Sequence, residues 1–142
     1  MCETFAGGVN EVRRVGDDMI RPKHPWTANA HGLLRHLADA GLSTVPRVRE
    51  LREHTERLSF IPGHVSHYPL SRKVTPESVL VSAARMLRQY HDATVDYVTE
   101  HGHGWQLPSR DPVEVLCHGD FAPYNVVVRD GEAVGITITA PR

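Results

Sequence analysis

The sequence predicts a mixed α/β fold in which a small antiparallel sheet with one helix is followed by a partly helical region. Two strand-like runs flank Gly16-Asp17-Asp18, a pattern typical of a β-hairpin. Apolar residues then recur at helical spacing over 27–40, and two further strand-like runs follow at 45–51 and 57–61. Together, these signals favour an antiparallel sheet that packs against a helix.

Residues typical of turns and helix ends mark the bounds of the first elements. A glycine-rich turn at 6–10 opens the chain, before the hairpin strands at 11–15 and 19–21. Thr27 is a residue type that caps helices, and Gly41 stands where a glycine commonly ends one. We therefore expect the first helix to begin and end near these residues.

A longer helix is predicted from Thr75-Pro76-Glu77, which combines a cap, a proline at the first helical position and an acid in the first turn. One face carries its apolar and small residues, which are Val79, Ala83, Met86, Leu87, Tyr90 and Thr94. A loop with glycine and proline follows at 101–111.

The most informative stretch is a short polar loop between two apolar runs. The runs 113–117 and 126–128 predict one buried strand leading into the loop and another leading out. Between them lie His118, Asp120 and Asn125. A carboxylate in such a loop suits proton transfer from a substrate hydroxyl, and an amide oxygen suits a hard metal ion.

Composition narrows the class of protein. The 142 residues predict one domain, with 40% hydrophobic and 23% charged residues as in ordinary globular proteins. A net charge of -1 gives no support for binding nucleic acid or a membrane surface. No apolar run approaches a membrane span and 1–10 lacks a signal-peptide pattern, so a cytoplasmic location is expected.

The cysteines and histidines indicate neither a disulfide framework nor a zinc site. Cys2 and Cys117 are too few for a disulfide framework, and Cys117 in its apolar run is expected to be a small buried residue. The ten histidines are scattered, without the spacing of a zinc site.

The polar loop carries a resemblance. His118-Gly119-Asp120, four further residues and then Asn125 before a hydrophobic strand is similar to the catalytic loop of the aminoglycoside phosphotransferase and choline kinase-like family. The resemblance implies a two-lobed, protein kinase-like fold that uses ATP to phosphorylate a hydroxyl of an aminoglycoside-like or choline-like small molecule. It assigns Asp120 to the acceptor hydroxyl, Asn125 to a magnesium ion on the ATP phosphates, and His118 to bracing the loop.

The resemblance also implies a division into a first lobe with its hinge, 1–63, and a second lobe, 64–142. A glycine turn would cover the phosphates, an arginine would stand in place of the strand lysine that contacts phosphate, and the hinge backbone would bind adenine. The residues implied for these roles are Gly7, Gly8, Arg21, Ser59, Phe60 and Ile61. The helix at 27–40 contains no glutamate to pair with the strand cation, which favours a purely structural helix with His31 and His36 as its polar candidates.

The sequence departs from the family after the loop. Where the family has Ile-Asp-aromatic-acid, whose first acid is the main magnesium ligand, this chain has Ile136-Thr137-Ile138. A neutral hydroxyl is a weaker magnesium ligand than a carboxylate, so the magnesium site is expected to be incomplete. The resemblance implies a C-terminally truncated member with an incomplete helical lobe. Self-association is expected through apolar residues left uncovered, namely Val126, Val128, Val134, Ile136 and Ile138.

Two classes of function stand at this point, and a third is weaker. The first is a phosphotransferase with low or no activity, and the second is a non-catalytic nucleotide-binding remnant or interaction module. A hydrolase using Cys117 and His118 is disfavoured, because adjacent residues on a strand point to opposite faces.

Overall fold

The computed structural model describes residues 2–7 and 10–138, with side chains described from residue 12 onward. Strands β1 (Cys2–Gly7), β2 (Asn10–Val15) and β3 (Asp18–Pro22) come first. Helix α1 (Thr27–Asp39) precedes β4 (Val48–Leu51) and β5 (Thr55–Ser59). Helix α2 (Glu77–His101) precedes the strands β6 (Val126–Arg129) and β7 (Glu132–Ile136).

The first five strands form an antiparallel sheet in the order β1-β2-β3-β5-β4, and β6 pairs with β7 in a separate hairpin. The predicted fold class, a small antiparallel sheet with one helix before a second region, is confirmed. Gly16 takes a positive φ of 62° in the β2–β3 turn, as the hairpin signal indicated. Strand β1 was missed, because its residues precede the glycine turn and no second apolar run marked them.

Helix α1 packs on the sheet through the face that its periodicity predicted. Leu33, Leu34 and Leu37 are fully buried, and they join Leu58 of β5 in the main hydrophobic cluster. Gly41 at φ 87° ends the helix: its N–H donates to Ala38 O, and the next N–H donates to Leu37 O.

The expected N-cap at Thr27 is wrong. Trp26 occupies the cap position, and no side chain caps the helix. The Thr27 hydroxyl instead accepts a hydrogen bond from the His24 backbone N–H at 2.9 Å. The threonine therefore closes the turn before the helix and lies inside its first turn.

The segment after β5, where the hinge is predicted, contacts the β6–β7 hairpin. The N–H of His64 donates to Val128 O at 2.7 Å, and the N–H of Val128 donates to His64 O at 2.8 Å. These bonds fasten the end of the hinge to β6. Gly63 lies so close to β6 that an added Cβ would stand 2.5 Å from a methyl carbon of Val127.

The β6–β7 hairpin is covered more fully than the sequence suggested. Helix α2 packs on it through Val79 and Met86, and four of the five residues expected to be uncovered are buried: Val126, Val128, Ile136 and Ile138. The apolar residues that the structure does expose on α2 are Leu80, Val81 and Val95. The surface proposed for self-association was therefore wrongly assigned, because α2 supplies the cover. No helix in the described ranges is long and apolar enough to cross a membrane.

Candidate active site

The polar loop is reached by an extended segment and not by a strand. The predicted strand at 113–117 is wrong, since no ladder forms there. The buried N–H of Leu116 donates instead to the hydroxyl of Thr94 on α2, at 3.2 Å. Gly119 has a positive φ of 81°, and a single 3-10 turn, Pro123–Asn125, leads into β6 as predicted. A side-chain hydroxyl thus replaces the strand partner that the sequence pattern implied.

His118 is buried beneath the loop and connects it to the residue that follows β7. Its Nδ1 accepts the backbone N–H of Asp120 at 3.3 Å, so Nε2 carries the hydrogen and donates to Thr137 O at 2.8 Å. Burial lowers the pKa of His118, against the smaller opposing effects of the Thr137 carbonyl and the Asp120 carboxylate. A neutral imidazole therefore fits both contacts.

The Asp120 carboxylate meets Asn125 directly. The Asn125 Nδ2 donates to Asp120 Oδ2 at 3.1 Å and to the Asp120 carbonyl at 2.9 Å. Tyr124 donates its hydroxyl to Asp120 Oδ1 at 2.7 Å. Asp120 and Asn125 therefore share one point in space, with Tyr124 as a further contact that the sequence analysis did not identify. A carboxylate has about four acceptor sites, so capacity remains for a substrate hydroxyl.

Thr137, which stands where the resemblance implies a metal carboxylate, contacts Asn125. Its hydroxyl donates to Asn125 Oδ1 at 3.1 Å, and its backbone N–H donates to Asn125 O at 2.9 Å. The amide oxygen assigned to the metal is thus bound by a neutral donor. No group of three or more acidic, histidine or cysteine side chains within the described ranges could hold a metal ion. The residues present do not fit a magnesium ion, since one carboxylate and one occupied amide oxygen are too few hard ligands.

A second polar cluster is buried between the sheet and α1. Arg21 Nε donates to Glu56 Oε1 at 2.5 Å, and His31 Nε2 donates to Glu56 Oε2 at 2.6 Å. Sequence analysis left Glu56 between two predicted strands and found no glutamate in α1 to pair with Arg21; in the structure, Glu56 of β5 pairs with Arg21, and His31, one of the polar candidates on α1, contacts the same carboxylate. Glu56 alternates inward with Leu58 along β5, and this period-2 pattern was the signal that identifies it.

Comparison with known proteins identifies the fold. The trifolitoxin immunity protein of Rhizobium leguminosarum bv. trifolii is 32% identical over 96% of this chain. An ADP-bound aminoglycoside phosphotransferase is 16% identical, with a TM-score of 0.67 over 96% of this chain and 64% of its own. The chain has the fold of the aminoglycoside phosphotransferases.

Two further solved structures share this kinase-like fold. The macrolide 2'-phosphotransferase of Brachybacterium faecium has a TM-score of 0.65 at 16% identity, covering 98% of this chain and 66% of its own. A choline/ethanolamine kinase family protein of Mesorhizobium loti has a TM-score of 0.57 at 20% identity, covering 97% and 60%. The chain spans 53% of the immunity protein, about half its length. No protein-family model matches the sequence.

The three residues predicted to bind adenine differ in how their backbone N–H groups are hydrogen-bonded within the chain. Ser59 N–H donates to Arg47 O and Phe60 N–H donates to Asp17 O, both at 2.8 Å. Ile61 makes no backbone hydrogen bond within the described residues. Of the three hinge residues expected to bind adenine, Ile61 is therefore the one that keeps both backbone groups for a ligand.

Other predicted site residues lie apart from the loop. A cleft of about 530 Å³ borders the hinge, the α1–β4 connection and the β6–β7 hairpin, but neither Arg21 nor Asp120 lines it. The cleft is lined by the three residues predicted to bind adenine, which are Ser59, Phe60 and Ile61. Gly7 ends β1 and pairs with Asn10, while Gly8 lies outside the described residues.

Cys117 is exposed, contrary to the expectation that it is buried. The extended segment turns Leu116 and His118 inward, so the residue between them faces outward. The opposite orientations of Cys117 and His118 give no support for a catalytic pair.

Proposed function

We propose that the chain carries the nucleotide-binding and proton-accepting parts of a phosphotransferase that acts on a hydroxyl of a small molecule. The observation that carries this proposal is the direct contact between the Asp120 carboxylate and Asn125 in a loop braced by His118. Asp120 is placed to accept the proton of the substrate hydroxyl as its oxygen attacks the terminal phosphate of ATP. Tyr124 and Asn125 each hold one carboxylate oxygen, and this fixes its orientation.

Several features support nucleotide as the ligand. Ile61 offers an N–H and a carbonyl at the hinge, and Arg21 supplies a cation at the position of the strand lysine. The similar structures include an aminoglycoside phosphotransferase with bound ADP. An ATP-using reaction also agrees with the cytoplasmic location expected from the sequence.

The acceptor we propose is an antibacterial compound that bears a free hydroxyl. Two of the structures that share the fold are named as phosphotransferases of aminoglycosides and macrolides, and the related immunity protein is named for a toxin. Phosphorylation of such a hydroxyl adds a charge of roughly −1.5 to −2 and three strong acceptor oxygens, and this changes the groups that the compound presents to its target.

A non-catalytic, nucleotide-binding role is the second candidate, and Thr137 favours it. Its hydroxyl occupies Asn125 Oδ1, where a magnesium-dependent kinase needs a ligand oxygen. We therefore expect ATP to bind without help from magnesium and phosphate transfer to be slow.

Isothermal titration with ATP, in EDTA and in magnesium chloride, tests nucleotide binding. Transfer from labelled ATP is then measured against an aminoglycoside, a macrolide and choline. Asp120→Asn should abolish transfer while leaving ATP affinity intact. Asp130→Asn is the matched control, because Asp130 is exposed in the β6–β7 turn and should not affect either quantity.

The outcomes separate the two candidates. ATP binding with transfer that depends on Asp120 supports the phosphotransferase, and binding without transfer supports the non-catalytic role. A wild-type chain that binds no ATP in either buffer refutes both.

A further inference from the structure

The cluster of Arg21, Glu56 and His31 joins three different elements. Arg21 lies on β3 directly opposite Glu56 of β5, and His31 reaches the same carboxylate from α1. The exposed fractions are 8% for Arg21, 3% for Glu56 and 1% for His31. Both oxygens of one buried carboxylate are therefore held by donors from its two sides.

Stability alone does not account for this cluster. Taking charges out of water is costly, and a buried ion pair is often no more stable than apolar residues of the same size. Moreover, the Nδ1 atom of His31 is buried without a hydrogen-bond partner in the described part of the chain. The two donors to its carboxylate fix the orientation of Glu56, and this arrangement persists although His31 Nδ1 is unpaired.

The guanidinium of Arg21 has capacity left for a ligand. Its Nε is taken by Glu56, and its two terminal nitrogens make no hydrogen bond to any described residue. An arginine fork matches the oxygens of a phosphate with two parallel N–H donors. Because Glu56 holds the Nε edge of the Arg21 guanidinium, the direction in which its two terminal nitrogens point is also fixed.

The cluster of Arg21, Glu56 and His31 and the catalytic loop both have near neighbours in sequence that belong to one hydrophobic cluster. Leu58, two residues after Glu56, and Leu34, three residues after His31, join Ile138 in one hydrophobic cluster. Ile138 follows Thr137, which contacts Asn125. Because a protein interior is close-packed, a displacement of Glu56 also displaces the side chain of Arg21.

We propose that Glu56 and His31 are positioning residues that hold Arg21 for contact with the phosphates of a nucleotide. The inference rests on the proposed nucleotide binding. It replaces the ion pair between strand lysine and helix glutamate with an arginine, a glutamate from the neighbouring strand and a histidine from the helix. Removing the His31 donor frees one oxygen of Glu56, so the carboxylate rotates and Arg21 loses its alignment.

The test compares affinity for ATP with affinity for adenosine, in EDTA, by isothermal titration. Adenosine lacks phosphate, so its affinity reports the fold and the hinge alone. His31→Leu should weaken ATP binding about tenfold and leave adenosine binding unchanged, since a charge-assisted contact is lost. His31→Gln should restore ATP affinity, because its amide can donate to Glu56.

The matched control is His36→Leu on the same helix. His36 also donates from Nε2, to Ala93 O at 2.7 Å, but it has no contact with Glu56. It should leave the ratio of ATP to adenosine affinity at the wild-type value. An equal loss of both affinities in His31→Leu, or an unchanged ratio, overturns the inference while leaving nucleotide binding intact. Loss of all nucleotide binding in the wild type would instead refute the proposed function.

A wild-type measurement covers the case in which His31→Leu does not fold. The NMR signal of the Arg21 Nε–H group, assigned by its loss in Arg21→Lys, should shift when ATP is added and stay in place with adenosine. A signal that shifts equally with both ligands, or with neither, overturns the inference.

Discussion

Replacing Thr137 by aspartate should convert the site into one that responds to magnesium. In EDTA, the change removes the hydrogen bond to Asn125 Oδ1, which is worth about 1 kcal/mol. It also adds a second carboxylate to a site that already contains Asp120, and the like-charge repulsion should cost about 1–2 kcal/mol in a partly exposed site. The free energy of unfolding should therefore fall by about 2–3 kcal/mol, which lowers Tm by about 6–9 °C at roughly 3 °C per kcal/mol.

Magnesium should recover part of this loss. At 10 mM Mg²⁺ and a site Kd of about 1 mM, binding to the folded state adds about 1.4 kcal/mol of stability. Thermal unfolding by calorimetry in EDTA and in magnesium chloride, each with and without ATP, measures the effect. Thr137→Val is the control: it loses only the hydrogen bond, so its Tm should fall by about 3 °C and should not respond to magnesium.

Two results would refute this reasoning. If the wild type already gains stability or ATP affinity strongly in magnesium, its residues bind the ion without the missing carboxylate. If Thr137→Asp shows no magnesium response at all, position 137 is not adjacent to the ion site.

Three other changes probe the supports of the site. Burial holds the folded pKa of His118 below its ordinary value of 6.5, so its contribution to stability is present above pH 6.5 and is lost as pH falls through the folded pKa. The free energy of unfolding in urea should therefore fall between pH 7 and pH 5. His118→Gln should reduce this dependence on pH. Gly63→Ala puts a Cβ 2.5 Å from a Val127 methyl carbon and should cost about 1–3 kcal/mol by the same assay, whereas an unchanged midpoint would show that the hinge relaxes. Thr94→Val leaves the buried N–H of Leu116 without its acceptor and should cost about 1–3 kcal/mol, with faster hydrogen exchange at that amide; wild-type exchange there would contradict the contact.

Local patterns predicted much of the fold because neighbouring residues decide it. The apolar face of α1, the Gly16 turn and the Gly41 helix end depend on periodicity and on positive φ, which the sequence displays directly. The spacing of Asp120 and Asn125 predicted their contact, since a loop of that length with a proline has few conformations.

Contacts between distant parts of the chain were the ones missed. The apolar run at 113–117 resembled a strand, but its N–H found an acceptor in Thr94, which is on another element. Glu56 resembled a surface charge because most glutamates are exposed, and its burial depends on donors from β3 and α1 that sequence order does not bring together.

The hydrogen bonds around Asn125 hold the shape of this loop through its own side chains. Two oxygen acceptors that lie close together need donors, because their lone pairs repel one another. Here Thr137 donates to the Asn125 oxygen, Asn125 donates to Asp120, and Tyr124 donates to the other oxygen of that carboxylate. Each acceptor is thus matched with a donor along one chain, and such chains strengthen one another in a partly buried site. Thr137, at the position where the resemblance implies a metal carboxylate, therefore supplies the donor that the Asn125 amide oxygen accepts.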